Sequence, residues 1–234
     1  MSTLRLAIIG DGKMGRLVDA LAHEQGVAVA AFLGRYAVLG SGITAKTLNG
    51  ASVAIEFTQP DAAAANVRAC LAVRCAVVSG TTGWDAERAA VEGDVRAHGG
   101  ALLWAPNFSL GVHIFTTLVA EAARRARAAG GFDAHLVETH HTAKLDAPSG
   151  TARQLARAAE QASGAAVPIT SIRVGSVPGT HELVLDGAFE QVRLVHEARD
   201  RRVFALGALA AARWIVGRTG VFSLDDMLAT PGGA

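Results

Sequence analysis

Between Glu138 and Ala152 the chain gathers two adjacent histidines, His140 and His141, a lysine, Lys144, a carboxylate, Asp146, and the run Pro148-Ser149-Gly150-Thr151. An imidazole with a pKa near ~6.5 gives or takes a proton at neutral pH. In an extended chain two neighbouring histidines point to opposite sides, so His140 and His141 cannot share one task. Lys144 offers a cation to a carboxylate. The Pro-Ser-Gly-Thr run reads as a helix start, whose amides and hydroxyl offer a second carboxylate site at Gly150 and Thr151. Together these residue types suit a small dianionic substrate that needs one proton. Residue types alone leave open a solvated histidine pair and a surface lysine. A metal set of His135, His140, His141 and Asp146 matches none of the usual zinc spacings, so no metal is expected.

These groups need a scaffold. His135-Leu136-Val137 reads as a short strand, and Ala152, Leu155, Ala156 and Ala159 repeat at helical spacing. The chemistry then sits on a strand-to-helix loop. At the N-terminus, Leu4–Ile9 reads as a buried strand that runs into Gly10-Asp11-Gly12-Lys13-Met14-Gly15, with a helix following from Arg16 to Ala22. A G-x-G-x-x-G between strand and helix binds a dinucleotide. The first glycine makes the turn, the second admits the pyrophosphate and the third packs helix on strand. A second strand, Val27–Leu33, ends at Gly34-Arg35, where an NAD site usually carries a carboxylate for the ribose. With glycine there and Arg35 next, a 2′-phosphate is not repelled and NADPH is the expected cofactor, with NADH the alternative.

Residues 36–50 read as a loop. Strands at Ser52–Thr58, Cys75–Ser79 and Ala101–Trp104 alternate with a helix from Pro60 to Leu71 and another capped by Asp85. This alternation predicts an α/β fold, a Rossmann-type doubly wound parallel sheet with ligands off the strands' carboxyl ends. Thr58, Gly80 to Gly83 and Ala105 to Ser109 fall at those ends. From Val112 the pattern changes: Val112, Phe115, Leu118, Val119 and Ala122 mark an amphipathic helix that stops at Gly130-Gly131. His181–Leu185 and Phe189–His196 flank Asp186-Gly187 as a hairpin, which implies a second, α+β domain. Phe204–Val216 and Ser223–Leu228 read as closing helices.

The chain has 234 residues, half of them apolar, and a net charge of +1. That suits a globular protein and gives no basic surface for nucleic acid. No apolar run approaches the ~20 residues of a membrane span. Two cysteines, Cys70 and Cys75, are too few for a disulfide framework. A reduced, cytoplasmic setting is expected, with no signal peptide before a strand that starts within four residues.

The segment His140-His141-Thr142-Ala143-Lys144-Leu145-Asp146-Ala147-Pro148-Ser149-Gly150-Thr151-Ala152 resembles the H-H-x-x-K-x-D-A-P-S-G-T-A signature of the 4-hydroxy-tetrahydrodipicolinate (dihydrodipicolinate) reductases of lysine and diaminopimelate biosynthesis. Ile55-Glu56-Phe57-Thr58, Gly80-Thr81-Thr82-Gly83, Asn107–Val112 and Phe204–Ala208 support the resemblance across nearly the whole chain. It implies NADH- or NADPH-dependent reduction of a small cyclic dicarboxylate in a homotetramer built through the substrate domain. It implies His140 as proton donor, Lys144 as catalytic carboxylate-binding lysine, and His141, Gly150 and Thr151 as substrate contacts. Gly10, Asp11, Gly12, Lys13 and Met14 match the pyrophosphate loop. Arg35 matches the arginine beside the ribose. Gly80, Thr81 and Thr82, with Ala105, Pro106, Asn107 and Phe108, match the nicotinamide side. Residues 1–110 with 202–234 are expected to form the dinucleotide domain, and 111–201 the substrate and tetramerisation domain. The chain departs from the family in a glycine loop one residue shorter, in Gly34 where an acid is usual, in Glu56 where aspartate is common, and in a shortened stretch from Arg35 to Ser52. The rival classes are another oxidoreductase on the same plan, without the Asp146-to-Thr151 signature, and a non-catalytic nucleotide sensor.

Overall fold

The computed structural model of this chain describes residues 3–34 and 42–229. They fall into two compact units: the residues up to Ser109 together with those from Arg202 onward, and Leu110–Arg201. Among the described residues, no helix is long and apolar enough to cross a membrane.

In the first unit β1 (Leu4–Ile9), β2 (Val27–Leu33), β3 (Val53–Glu56), β4 (Ala76–Ser79) and β5 (Ala101–Trp104) alternate with α1 (Lys13–Ala22), α2 (Pro60–Ala72) and α3 (Asp85–Ala97). The second unit contributes α4 (Leu110–Ala129), β6 (Phe132–His140), α5 (Gly150–Ser163), β7 (Ile169–Arg173), β8 (Thr180–Gly187) and β9 (Gln191–Glu197). The chain then re-enters the first unit with α6 (Arg202–Ile215), β10 (Gly220–Phe222) and α7 (Leu224–Ala229).

The first unit's sheet is parallel throughout, in the order β2-β1-β3-β4-β5-β10. This is a Rossmann-type doubly wound sheet. Its order turns between β1 and β3, and in such sheets the crevice at the turning point takes the ligand. Leu6 to Ile9 and Val53 to Ile55 are fully buried. Parallel strands covered on both faces read as continuous apolar runs, which is why β1, β3, β4 and β5 were legible. β10 is a three-residue strand beside β5 that sequence reasoning did not anticipate. Two local expectations are corrected. Helix α1 begins at Lys13, with Gly12 as its N-cap, three residues before the expected start. Asp85 is not a cap: Trp84 takes that place, and the Asp85 carboxylate meets Arg88 at 2.9 Å inside the first turn, where the helix dipole favours an acid.

The second unit is a mixed sheet in the order β7-β6-β8-β9, with β6 and β7 parallel and the other pairs antiparallel. Phe115, Val119 and Ala123 of α4 and Leu155, Ala156 and Ala159 of α5 pack with Leu136, Leu183 and Leu185 from the sheet. Helices therefore cover one face only. Leu118 was expected in the buried stripe of α4 but is 50% exposed; Ala123, two turns on from Phe115, takes the inward position instead. Gly130 and Gly131, both at positive φ, end α4 as expected. Strand β6 is far longer than the three residues expected, and it carries Glu138, Thr139 and His140 inside the sheet. The hairpin turn also falls later than Asp186-Gly187. Asp186 pairs with Gln191, Gly187 N–H donates to the Glu190 carbonyl at 2.9 Å, and Phe189 projects from the turn fully exposed. Strand β7 was missed altogether.

Candidate active site

In the first unit, Gly10 to Met14, Phe57 to Ala62, and Gly80, Thr81 and Thr82 line a cleft of about 950 Å³ at the β1/β3 turning point. The glycines there answer to different constraints. Gly10 has φ +107°, and a Cβ on it would lie 2.0 Å from the Phe57 carbonyl oxygen. A Cβ on Gly15 would lie 1.9 Å from the Gly10 carbonyl oxygen, so any side chain would push α1 off the sheet. Gly12 is unlike both. Its φ of −70° suits any residue, and a Cβ would meet no protein atom within 4 Å. The room beside it opens onto the free amides at the start of α1, as a pyrophosphate requires. Shape and donors fit a dinucleotide.

The far wall is held by an acid to which the sequence assigned no role. Glu56 is fully buried and accepts from Ser79 Oγ at 2.6 Å, Thr81 Oγ1 at 3.0 Å, Asn66 Nδ2 at 3.4 Å and the Thr58 hydroxyl. Thr58 N–H in turn donates to Thr81 Oγ1 at 2.8 Å. These bonds tie the ends of β3 and β4 together at the cleft. The Thr81 carbonyl takes both indole N–H groups, from Trp84 at 2.8 Å and Trp104 at 2.9 Å. Thr81's hydroxyl and carbonyl thus serve the scaffold. Ala105 and Phe108 are buried. Phe108 stacks edge-on to Phe57 at 6.0 Å, and its carbonyl oxygen would lie 1.7 Å from a Cβ on Gly207, so α6 rests directly on the chain leaving β5. Asn107 Oδ1 accepts from Ser109 N–H at 2.8 Å. Ala105, Pro106, Asn107 and Phe108 are not among the residues lining the cleft. Arg35 lies outside the described residues.

In the second unit, alternation along β6 turns Leu136, Glu138 and His140 to the helix-covered face. Glu138 is fully buried and His140 is 7% exposed. His140 Nδ1 lies 2.7 Å from Glu138 Oε2, at ion-pair distance, and among the described residues neither atom has a hydrogen-bond partner. Glu138 Oε1 accepts from Arg173 Nη2 at 2.8 Å and from Ser149 N–H at 3.2 Å. Burial pushes the Glu138 carboxyl pKa up, but the Ser171 hydroxyl, the Arg173 guanidinium and Ser149 outweigh it and bring it down to about 2. The carboxylate is ionised at any working pH. Burial pushes the His140 pKa below its ordinary value, the Glu138 charge pulls it back up, and Lys144 and Arg173 push it down again. His181 stands edge-on to His140 with ring centres 5.2 Å apart, and its Nε2 lies 3.3 Å from Ser149 Oγ. Ser149 caps α5, accepting from Ala152 N–H at 3.1 Å. This meets the expected helix start, with its hydroxyl already used by the cap.

Lys144 Nζ is 2.7 Å from Asp146 Oδ1, and the lysine's hydrogen bond holds that carboxyl below the usual range. His141 is half-buried and its carbonyl accepts from Lys144 N–H at 3.1 Å. Structure thus joins His140 to Glu138, Arg173 and His181, and of these four sequence reasoning singled out only His140. Arg173 rides on the missed strand β7. Glu138 and His181 were visible only as strand residues, although inward alternation from Leu136 and Leu183 was a usable signal. Glu138, His140 and His181 offer ligand atoms within 4.8 Å of one another, a geometry open to a metal. The guanidinium of Arg173 on the same carboxylate opposes a second cation there.

Two buried histidines make the unit acid-sensitive. Burial, with help from His140, holds His181 down at about 4. The folded pKa lies below the unfolded one, so the stability that neutral His181 confers is complete above pH ~6.5 and is lost as pH falls toward 4, by about 3 kcal/mol. Urea unfolding from pH 7 to pH 4 should show that loss, and His181→Asn should flatten it.

Residues 4–108 match the family model described as dihydrodipicolinate reductase, N-terminus, and residues 111–228 the one described as dihydrodipicolinate reductase, C-terminus. The chain is 41% identical to the 4-hydroxy-tetrahydrodipicolinate reductase of Stenotrophomonas maltophilia, over 96% of this chain and 98% of that one. It is 34% identical to the 4-hydroxy-tetrahydrodipicolinate reductase of Thiobacillus denitrificans, over 97% and 98%. Among solved structures, a dipicolinate-bound dihydrodipicolinate reductase from Paenisporosarcina sp. TG-14 matches its fold with a TM-score of 0.81 at 21% identity, over 95% of this chain and 98% of that one.

Proposed function

The chain belongs to the dihydrodipicolinate reductase family, and from that premise we propose that its second unit protonates and clamps a cyclic dicarboxylate while its first unit holds the hydride donor. It is an oxidoreductase that reduces 4-hydroxy-tetrahydrodipicolinate to tetrahydrodipicolinate with NAD(P)H, in lysine and diaminopimelate biosynthesis. In the balanced reaction the ring loses its hydroxyl and one ring hydrogen as water and gains a hydride and a proton. The bound nicotinamide supplies the hydride. Gly10, Asp11, Gly12, Lys13 and Met14 hold the pyrophosphate side, and Gly80, Thr81 and Thr82 with Ala105 to Phe108 form the nicotinamide side. Both NADH and NADPH serve.

The proton comes from His140. Glu138 Oε1 is occupied by Arg173 and Ser149, so Oε2 is left to hold Nδ1. That fixes the ring and assigns the transferable proton to Nε2. Nε2 lies 3.0 Å from where a Cβ on Gly179 would be, so the glycine is what leaves this nitrogen uncovered. Lys144 exchanges Asp146 for one substrate carboxylate. The amides of Gly150 and Thr151 at the start of α5 take the other, with His141 beside them. The observation that carries this reading is the buried 2.7 Å contact of Glu138 with His140, four residues before a lysine.

Assembly as a homotetramer through the second unit is supported by its sheet. The face not covered by helices carries Val137, Val184, Ile172 and Val195, the last 57% exposed. A cytoplasmic setting fits two free, buried cysteines.

Calorimetry with dipicolinate, a planar dicarboxylate that cannot be reduced by this route, tests the substrate class. Dipicolinate should bind the wild type and bind Lys144→Ala roughly 10-fold more weakly, whereas picolinate, with one carboxylate, should bind poorly to both. Equal binding of the two acids would refute a dicarboxylate site.

A further inference from the structure

The expected preference for NADPH rested on a missing acid at position 34. The acid is supplied from elsewhere. Gly34 follows β2, and its backbone is outside the left-handed region that favours glycine, so conformation does not require a glycine there. Space does. A Cβ on Gly34 would lie 2.8 Å from Asp11 Oδ2 and 3.2 Å from Asp11 Cγ. The Asp11 carboxylate fills the room that a side chain at 34 would need. Its loop is anchored to that spot: Gly10 N–H donates to the Leu33 carbonyl at 2.8 Å, and Arg16 Nε donates to the Asp11 carbonyl at 2.8 Å. Asp11 also lines the dinucleotide cleft.

We propose that Asp11 takes the place of the ribose-binding acid, accepts hydrogen bonds from the adenosine ribose hydroxyls, and makes NADH the favoured cofactor. This deepens the reading of the cleft as a dinucleotide site and rests on it. An ionised carboxylate accepts both hydroxyls of a ribose 2′,3′-diol in charge-assisted bonds. The same carboxylate repels the dianionic 2′-phosphate of NADPH. The short glycine loop and Gly34 then form one arrangement: the acid stands on the loop after β1, and the glycine leaves it room.

Fluorescence titration of the full chain with NADH and with NADPH, without substrate, tests this independently of turnover. Wild type should bind NADH more tightly. Asp11→Ala should weaken NADH by roughly 10-fold or more, the worth of a hydrogen bond to a charged group, and leave NADPH unweakened. The double variant Asp11→Ala with Gly34→Asp should recover NADH binding, because removing one carboxylate makes room for the other. Tighter NADPH binding by the wild type, or an NADH-to-NADPH ratio unmoved by Asp11→Ala, would overturn the proposal. Failure of the wild type to bind either dinucleotide would overturn the reading of the cleft itself, and the proposal with it.

Discussion

His140→Gln should lower kcat by roughly 10²- to 10⁴-fold, the usual worth of a positioned acid, and leave KM for the dicarboxylate within a few-fold. Glutamine can still donate an N–H to the buried Glu138 oxygen that His140 Nδ1 meets at 2.7 Å, so the fold of β6 survives. What it lacks is a proton to transfer. The pH dependence carries a second signature with a definite sign. A general acid must be protonated, so kcat should fall as pH rises through the His140 pKa. Burial lowers that pKa, Lys144 and Arg173 lower it further, and Glu138 and Asp146 raise it; His181, edge-on at 5.2 Å, completes the groups facing the ring. Glu138→Gln removes the raising charge next to Nδ1, so the alkaline limb should move to lower pH. Glu138→Asp should restore part of the shift. A purely structural role for Glu138 would lower thermal stability and leave the limb where it was.

Lys144→Ala should reduce kcat/KM by roughly 10- to 100-fold, chiefly through KM. The lysine already sits in a charge-assisted contact, 2.7 Å from Asp146. Because the pair is partly exposed, breaking it should cost the fold ~1 kcal/mol or less. The kinetic effect is larger, because removing the cation leaves Asp146 alone to repel an incoming dicarboxylate. Lys144→Ala/Asp146→Asn should therefore recover part of the affinity for dipicolinate. Steady-state kinetics on the two variants side by side would separate lost attraction from new repulsion.

The parts of the molecule that could be read in advance obey short-range rules. β1, β2 and β5 are apolar runs with the ends observed, and α5 begins and buries its four residues as their spacing implied, because an apolar stripe and a serine cap act within a few residues. The parts that could not be read depend on partners distant in sequence. Glu138 looks like a solvated strand end until Arg173 and Ser149 arrive to satisfy it. Arg173 could not arrive in a reading without β7, whose half-buried alternation of Ile169, Ser171 and Arg173 mixes polar and apolar groups on the inward face. Glu56 resembled a conservative change from aspartate; its four acceptor contacts appear only when β3, β4 and α2 are brought together. Position 34 shows the same limit from the other side. A glycine was taken as a lost acid because the carboxylate that fills its space comes from the loop after β1.

The central claim is that this chain reduces a cyclic dicarboxylate with a proton from His140. The most direct measurement supplies freshly generated 4-hydroxy-tetrahydrodipicolinate with NADH or NADPH to the wild type and to His140→Gln, and follows nicotinamide absorbance. Rapid oxidation by the wild type, one nicotinamide per ring reduced, with oxidation by the variant slowed at least roughly 100-fold, is the predicted result. Cofactor binding without oxidation by the wild type, or near-normal turnover by His140→Gln, would contradict it.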